Sequence, residues 1–146
     1  MQLQRQYNVL LIGDSCTDEW AYGSCDRLSP EAPIPVMKFR EHQSAPGMAA
    51  NVNENLKSLG INVNFLTNRE KIVKTRYVDD RSNQQIMRLD TEPVVKPLHP
   101  SQLTMAAMHS EYDAVVISDY DKGFVGYDII VLLACLLYTS PSPRDT

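Results

Sequence analysis

Four short groups of residues carry side chains able to do chemistry. The first is Gly13-Asp14 with Asp18, directly after the apolar run Val9-Leu10-Leu11-Ile12. A carboxylate at the C-terminal tip of a strand can accept hydrogen bonds from the hydroxyl groups of a polyol. The same residues also read as a turn cap beside a solvated acid. The second group is Pro46-Gly47-Met48-Ala49-Ala50-Asn51. Small residues at a helix start let backbone N–H groups approach a ligand's electronegative atoms, and Asn51 adds both a donor and an acceptor. Tight packing of Ala49 and Ala50 on a sheet would produce the same pattern. The third is Lys74 and Arg76, two apart and so on one strand face, with Arg88 beyond them. Such a face suits a phosphate, or else it is simply a solvated basic face. The fourth is Asp119-Tyr120-Asp121-Lys122-Gly123, at the end of a second apolar run.

The elements needed to position these groups are legible around them. Val9–Ile12 and Ala114–Ile117 are continuous aliphatic runs ending in a small residue and a carboxylate, the grammar of parallel strands buried on both faces. In open α/β sheets ligands gather at such carboxyl ends. Residues 26–35 hold three prolines within six residues and predict an irregular or edge segment, followed by a half-exposed strand from Val36 to Arg40. Met48, Val52, Leu56 and Leu59 form one apolar stripe, predicting a helix stopped by Gly60. A strand over Asn62–Thr67 comes next. Ile72–Val78 and Gln85–Leu89 flank a polar turn cluster and read as a hairpin. After Pro93, Pro97 and Pro100, Ser101 is the expected N-cap of a helix reaching about Ser110, and a further helix is expected after Gly126. The fold class is α/β.

Composition sets outer bounds. The chain has 146 residues, a formal net charge of −4, and 43% hydrophobic residues, enough for one domain with a core. The acidic balance argues against nucleic acid as a partner, and no apolar run approaches the ~20 residues that cross a bilayer. The opening residues lack a signal-peptide stretch, so a cytoplasmic setting is expected. Cys16, Cys25 and Cys135 form no C-x-x-C pair, and His42, His99 and His109 lack metal-ligand spacing, so no metal site is expected.

Taken in order, the motifs resemble the N-terminal half of a ribokinase-like (PfkB-type) carbohydrate kinase, with most similarity to the heptose 7-phosphate kinase branch of ADP-heptose synthesis. The matching pieces are Val9-Leu-Leu-Ile-Gly-Asp with Asp18, Leu28-Ser-Pro-Glu-Ala-Pro-Ile-Pro-Val, Pro46-Gly-Met-Ala-Ala-Asn-Val, Lys74-Thr-Arg, Asn83-Gln-Gln-Ile-Met-Arg-Leu-Asp and Ser118-Asp-Tyr-Asp-Lys-Gly. The resemblance covers most of the chain from Val9 to about Ile130. It implies a three-layer α/β/α fold with a small β lid near 27–45 and part of 71–90, and ATP- and Mg2+-dependent phosphorylation of a sugar hydroxyl, here the anomeric one of a heptose 7-phosphate. A kinase for another sugar or a nucleoside, and a non-catalytic sugar-phosphate-binding module, are the alternative readings. By position, Asp14, Asp18, Gly47 and Asn51 would line the sugar site. Asp119 and Lys122 would border the cleft, and homodimerisation would run through the lid. Assigning Lys74, Arg76 and Arg88 to the substrate's phosphate is an electrostatic inference.

Three departures from the family pattern carry weight. The family usually has Gly-Gly where this chain has Gly47-Met48. The chain passes from Asn68 to Lys71 without a helix and strand that longer relatives carry. The family's catalytic aspartate, in a Gly-Ala-Gly-Asp motif, and its nucleotide pocket would fall beyond the last residue. The expectation is therefore a partial kinase domain over residues 1–137, truncated and inactive alone, followed by a non-native or disordered tail over 138–146.

Overall fold

The computed structural model describes residues 6–109 and 111–139. Two sheets and three helices follow in the order β1 (Asn8–Gly13), β2 (Ser15–Leu28), β3 (Pro35–Met48), α1 (Ala49–Ser58), β4 (Asn62–Thr67), β5 (Ile72–Asp79), β6 (Gln84–Thr91), α2 (Pro100–His109), β7 (Ala114–Ser118) and α3 (Tyr127–Thr139). Helix α3 continues through Tyr138 and Thr139; residues 140–146 of the expected tail, and Ser110, lie outside the described residues.

The first sheet is parallel, ordered β4-β1-β7, with β1 central. Val9, Leu10, Leu11 and Ile12 are all buried, as a strand covered on both faces requires. Leu10 and Ile12 enter a core with Leu103 of α2 and with Ile129 and Leu133 of α3, while α1 packs against β1 and β4. Gly13 closes the strand where no side chain fits: a Cβ there would lie 2.1 Å from the Ser118 carbonyl oxygen of β7 and 2.9 Å from the Ala49 side chain. That contact brings the start of α1 and the tip of β7 to the same end of the sheet.

The second sheet, which contains the segments expected to form the lid and takes that label, is ordered β3-β2-β5-β6, with β2 and β5 parallel and the outer pairs antiparallel. It extends well beyond the segment expected at 27–45, because Ser15–Leu28 forms a 14-residue strand that the residue pattern had not marked. Prolines 35 and 46 sit on the edge strand β3, where a missing N–H is tolerated. The hairpin β5–β6 forms as expected. Helix α2 is capped by His99 instead of Ser101. The His99 Nδ1 accepts from the Ser101 N–H at 3.2 Å, and Gln102 Oε1 accepts from the His99 N–H at 3.2 Å, a reciprocal capping box two residues earlier.

Candidate functional site

Strand parity gathers the site. On β2, Cys16, Asp18 and Trp20 share one face, and the register places Asp18 beside Lys74 and Trp20 beside Arg76 on β5. Across β5, Lys74 pairs with Asp90 and Arg76 with Arg88 of β6. The base of this face, Cys16 and Ile72, is part of the hydrophobic core. Its upper part meets the loop after β7, where Lys122 reaches Glu92.

Asp18 is fixed from two sides. Arg76 Nη1 donates to its Oδ1 at 2.7 Å, with both side chains about three-quarters buried. Gly47 lies against its other oxygen; a Cβ at position 47 would stand 2.2 Å from Asp18 Oδ2 and 2.6 Å from Cys16 Sγ. Only glycine leaves the carboxylate where it is. The Arg76 guanidinium also lies over the Trp20 ring, 5.3 Å from its centroid, a cation–π contact that restrains the arginine. Below them, burial and the Asp18 charge push the Cys16 thiol above its ordinary pKa, so it stays protonated at neutral pH.

The remaining expected residues divide. Lys74 joins the group: its Nζ lies 4.0 Å from Glu92 Oε1, and Lys122 Nζ lies 2.8 Å from the same oxygen. The hydrogen bond to Glu92 raises the Lys122 pKa. Arg88 shares the face but is chelated by Asp90 through two bonds of 2.8 and 3.0 Å, and its side chain is half exposed. Asp14 lies under the loop after β7. Fully buried, it accepts from the Tyr120, Phe124 and Lys122 amides at 2.9, 3.1 and 3.4 Å. Positive φ at Asp121 and Gly123 turns these alternate amides inward as an anion nest, and the Asp14 carboxylate fills it. Asp14 thereby holds the loop that carries Lys122. Asn51 is exposed on the first turn of α1, outside the hydrogen-bonded set. Asp119 is exposed at the tip of β7, where it accepts from the Asp121 amide at 2.8 Å. Sequence reasoning missed Trp20 and Glu92. Both share strand parity with residues it did single out, Trp20 with Asp18 and Glu92 with Arg88 and Asp90.

A cleft of about 570 Å³, lined by Ser15, Cys16, Thr17, Asn68, Lys71 and Ile72 among others, opens beside the C-terminal end of β4; it shares Cys16 and Ile72 with the base of this face and holds none of the expected site residues. Among the described residues no group of three metal-ligating side chains occurs.

Comparison with known proteins bears on the same elements. No family model matches the chain. A carbohydrate kinase from Agrobacterium tumefaciens superposes with a TM-score of 0.57 at 13% identity, covering 91% of this chain and half of that one. The "Bifunctional protein HldE" of Helicobacter hepaticus is 30% identical over 154 residues, which take in 83% of this chain and 32% of that protein. The relatives and the fold together support a member of the ribokinase-like (PfkB-type) carbohydrate kinase family. Its HldE relative in Helicobacter pylori strain J99 is 34% identical over 175 residues, covering 94% of this chain. That alignment is longer than the chain, so this relative carries residues that have no counterpart here. The chain spans about a third of the length of the curated relatives it matches. No helix among the described residues is long and apolar enough to cross a membrane.

Proposed function

We propose that this chain supplies the acceptor side of a sugar kinase that phosphorylates the anomeric hydroxyl of a heptose 7-phosphate, with ATP and Mg2+ as the donor. The observation that carries this reading is the Asp18 carboxylate, pressed against Gly47 and held by Arg76 on the lid face. A fixed carboxylate accepts hydrogen bonds from sugar hydroxyls, and the neighbouring Lys74, Arg76 and Arg88 balance the ligand's phosphate. Phosphoryl transfer depends mainly on positioning and charge neutralisation, and these residues supply the acceptor's share of both. Asn51, Asp119 and Lys122 border the pocket in this reading, and the reaction is cytoplasmic. Two copies pair through the lid, whose outer face exposes Met87 and Leu89.

Calorimetric titration tests the ligand. Heptose 7-phosphate should bind saturably, the phosphate-free heptose at least about tenfold more weakly, and Asp18→Ala should lose about tenfold or more with the fold intact. Equal affinity for both sugars, or unchanged binding by Asp18→Ala, would refute the assignment. Tighter binding of a nucleoside or another sugar phosphate would move the substrate within the family.

A further inference from the structure

The two lysines that meet at Glu92 come from different parts of the fold. Lys74 projects from lid strand β5. Lys122 rises from the loop after β7, which the buried Asp14 carboxylate holds by three backbone amides. Glu92 follows directly on lid strand β6. Its carboxylate accepts from Lys122 Nζ at 2.8 Å through Oε1 and 2.9 Å through Oε2, with Lys74 Nζ 4.0 Å away. All three side chains are about two-thirds buried or more, at 35% exposed for Glu92, 25% for Lys122 and 19% for Lys74.

Two partly desolvated ammonium groups converging on one point suit a dianion, and Glu92 is the carboxylate that pairs with both, with Asp90 and Asp14 acting on Lys122 from farther away. The other cations of this face each have a dedicated acid, Asp18 for Arg76 and Asp90 for Arg88. Glu92 alone is shared. We propose that Lys74 and Lys122 form a phosphate-group site whose resting occupant is the Glu92 carboxylate, displaced when a phosphate-bearing ligand enters. Because one lysine rides on the lid and the other on the core loop, the exchange replaces an internal lid-to-core tie with one made through the ligand. The site itself follows from this geometry; its link to an acceptor sugar rests on the function proposed above.

The test is phosphate affinity of the full 146-residue chain and its Glu92→Gln variant, measured by calorimetry with inorganic phosphate at fixed ionic strength. An internal competitor predicts that Glu92→Gln binds phosphate at least about threefold more tightly, as loss of a partly exposed ion pair allows. Lys122→Met should bind it more weakly. Glu92→Ala should move in the same direction as Glu92→Gln, which guards against a fold defect in one variant. If Glu92 instead only props the lysines in place, both Glu92 variants bind phosphate more weakly or unchanged, and the inference is overturned. Should that happen while Lys74→Met still weakens heptose 7-phosphate binding, the proposed function survives and this inference alone falls. No phosphate binding by any form removes both the inference and the phosphate contact of the proposed function. With the site established, tighter binding of heptose 7-phosphate than of ATP in Glu92→Gln assigns the phosphate to the acceptor, and the reverse assigns it to the donor.

Discussion

Met48 shows how a single residue type can run against its backbone. It is the N-cap of α1, with φ 55° and ψ −132°, a conformation that only glycine adopts without strain, and its side chain makes no cap hydrogen bond. The family's usual glycine at this point thus has a backbone reason, which the sequence pattern marked only as an oddity. Strain of about 1–3 kcal/mol opposes the roughly 1.5–3 kcal/mol gained by burying a methionine side chain. Met48→Gly gives up the burial and relieves the strain, whereas Met48→Ala gives up most of the burial and keeps the strain. Chemical denaturation should therefore rank Met48→Gly as more stable than Met48→Ala, by about 1 kcal/mol or more, the reverse of the usual helix preference. A more stable alanine variant would contradict the strain. Asp14 teaches a related lesson. A carboxylate at a strand tip was legible as a cap or a ligand contact, and only the path of residues 119–124, 105 positions and more away, brings the amides it accepts from.

At the scale of elements, legibility followed apolar content. Strand β1 announces itself because its apolar run is buried throughout; β4, β7 and helix α1 carry a clear apolar pattern too, although their apolar residues are mostly half-buried and Ile117 of β7, expected to be covered on both faces, is exposed. Strand β2 does not. Its alternate residues Asp18, Trp20 and Tyr22 face a charged cleft instead of a core, so neither face shows the hydrophobic alternation by which strands are recognised. The β5–β6 turn is held by Asp79 at the end of β5, which accepts from Ser82 Oγ at 2.7 Å, the Cys25 N–H at 3.0 Å and the Ser82 N–H at 3.1 Å. These bonds, the Ser82 hydroxyl first among them, hold its carboxyl below the ordinary value of 3.8. A depressed carboxylate adds stability above its unfolded-state pKa and loses it as pH falls through the lower folded value. Asp79→Asn should flatten the part of the acid-unfolding profile below about pH 4 while lowering stability at pH 7. An unchanged acid limb, followed by circular dichroism, would contradict this role for Asp79.

At the scale of the molecule, two sheets meet along a line where the core ends and charges begin. Below it, Cys16 and Ile72 of the lid pack with Leu10, Ile12 and Phe124; above it stand Asp18, Arg76, Lys74 and Lys122. The outer face of the lid exposes Met87 and Leu89, with Phe39, Leu28 and Ile34 also exposed on the lid strands and their connection. Pairing of two lids would cover apolar surface of this kind. Light scattering after size-exclusion chromatography should give twice the mass of one chain, falling toward a single chain when Met87 and Leu89 are replaced by Lys. A single-chain mass for the unsubstituted protein would contradict the lid pairing.

The central claim is that ligand enters between the charged lid face and the loop after β7. Trp20 is the sole tryptophan of the chain and lies against Arg76 in that cleft, so its emission reports on the site directly. Titration with heptose 7-phosphate should give a saturable change in tryptophan fluorescence that Asp18→Ala abolishes. Calorimetric binding with no change in emission would place the ligand elsewhere, such as the cleft beside Asn68 and Lys71, and would contradict the account.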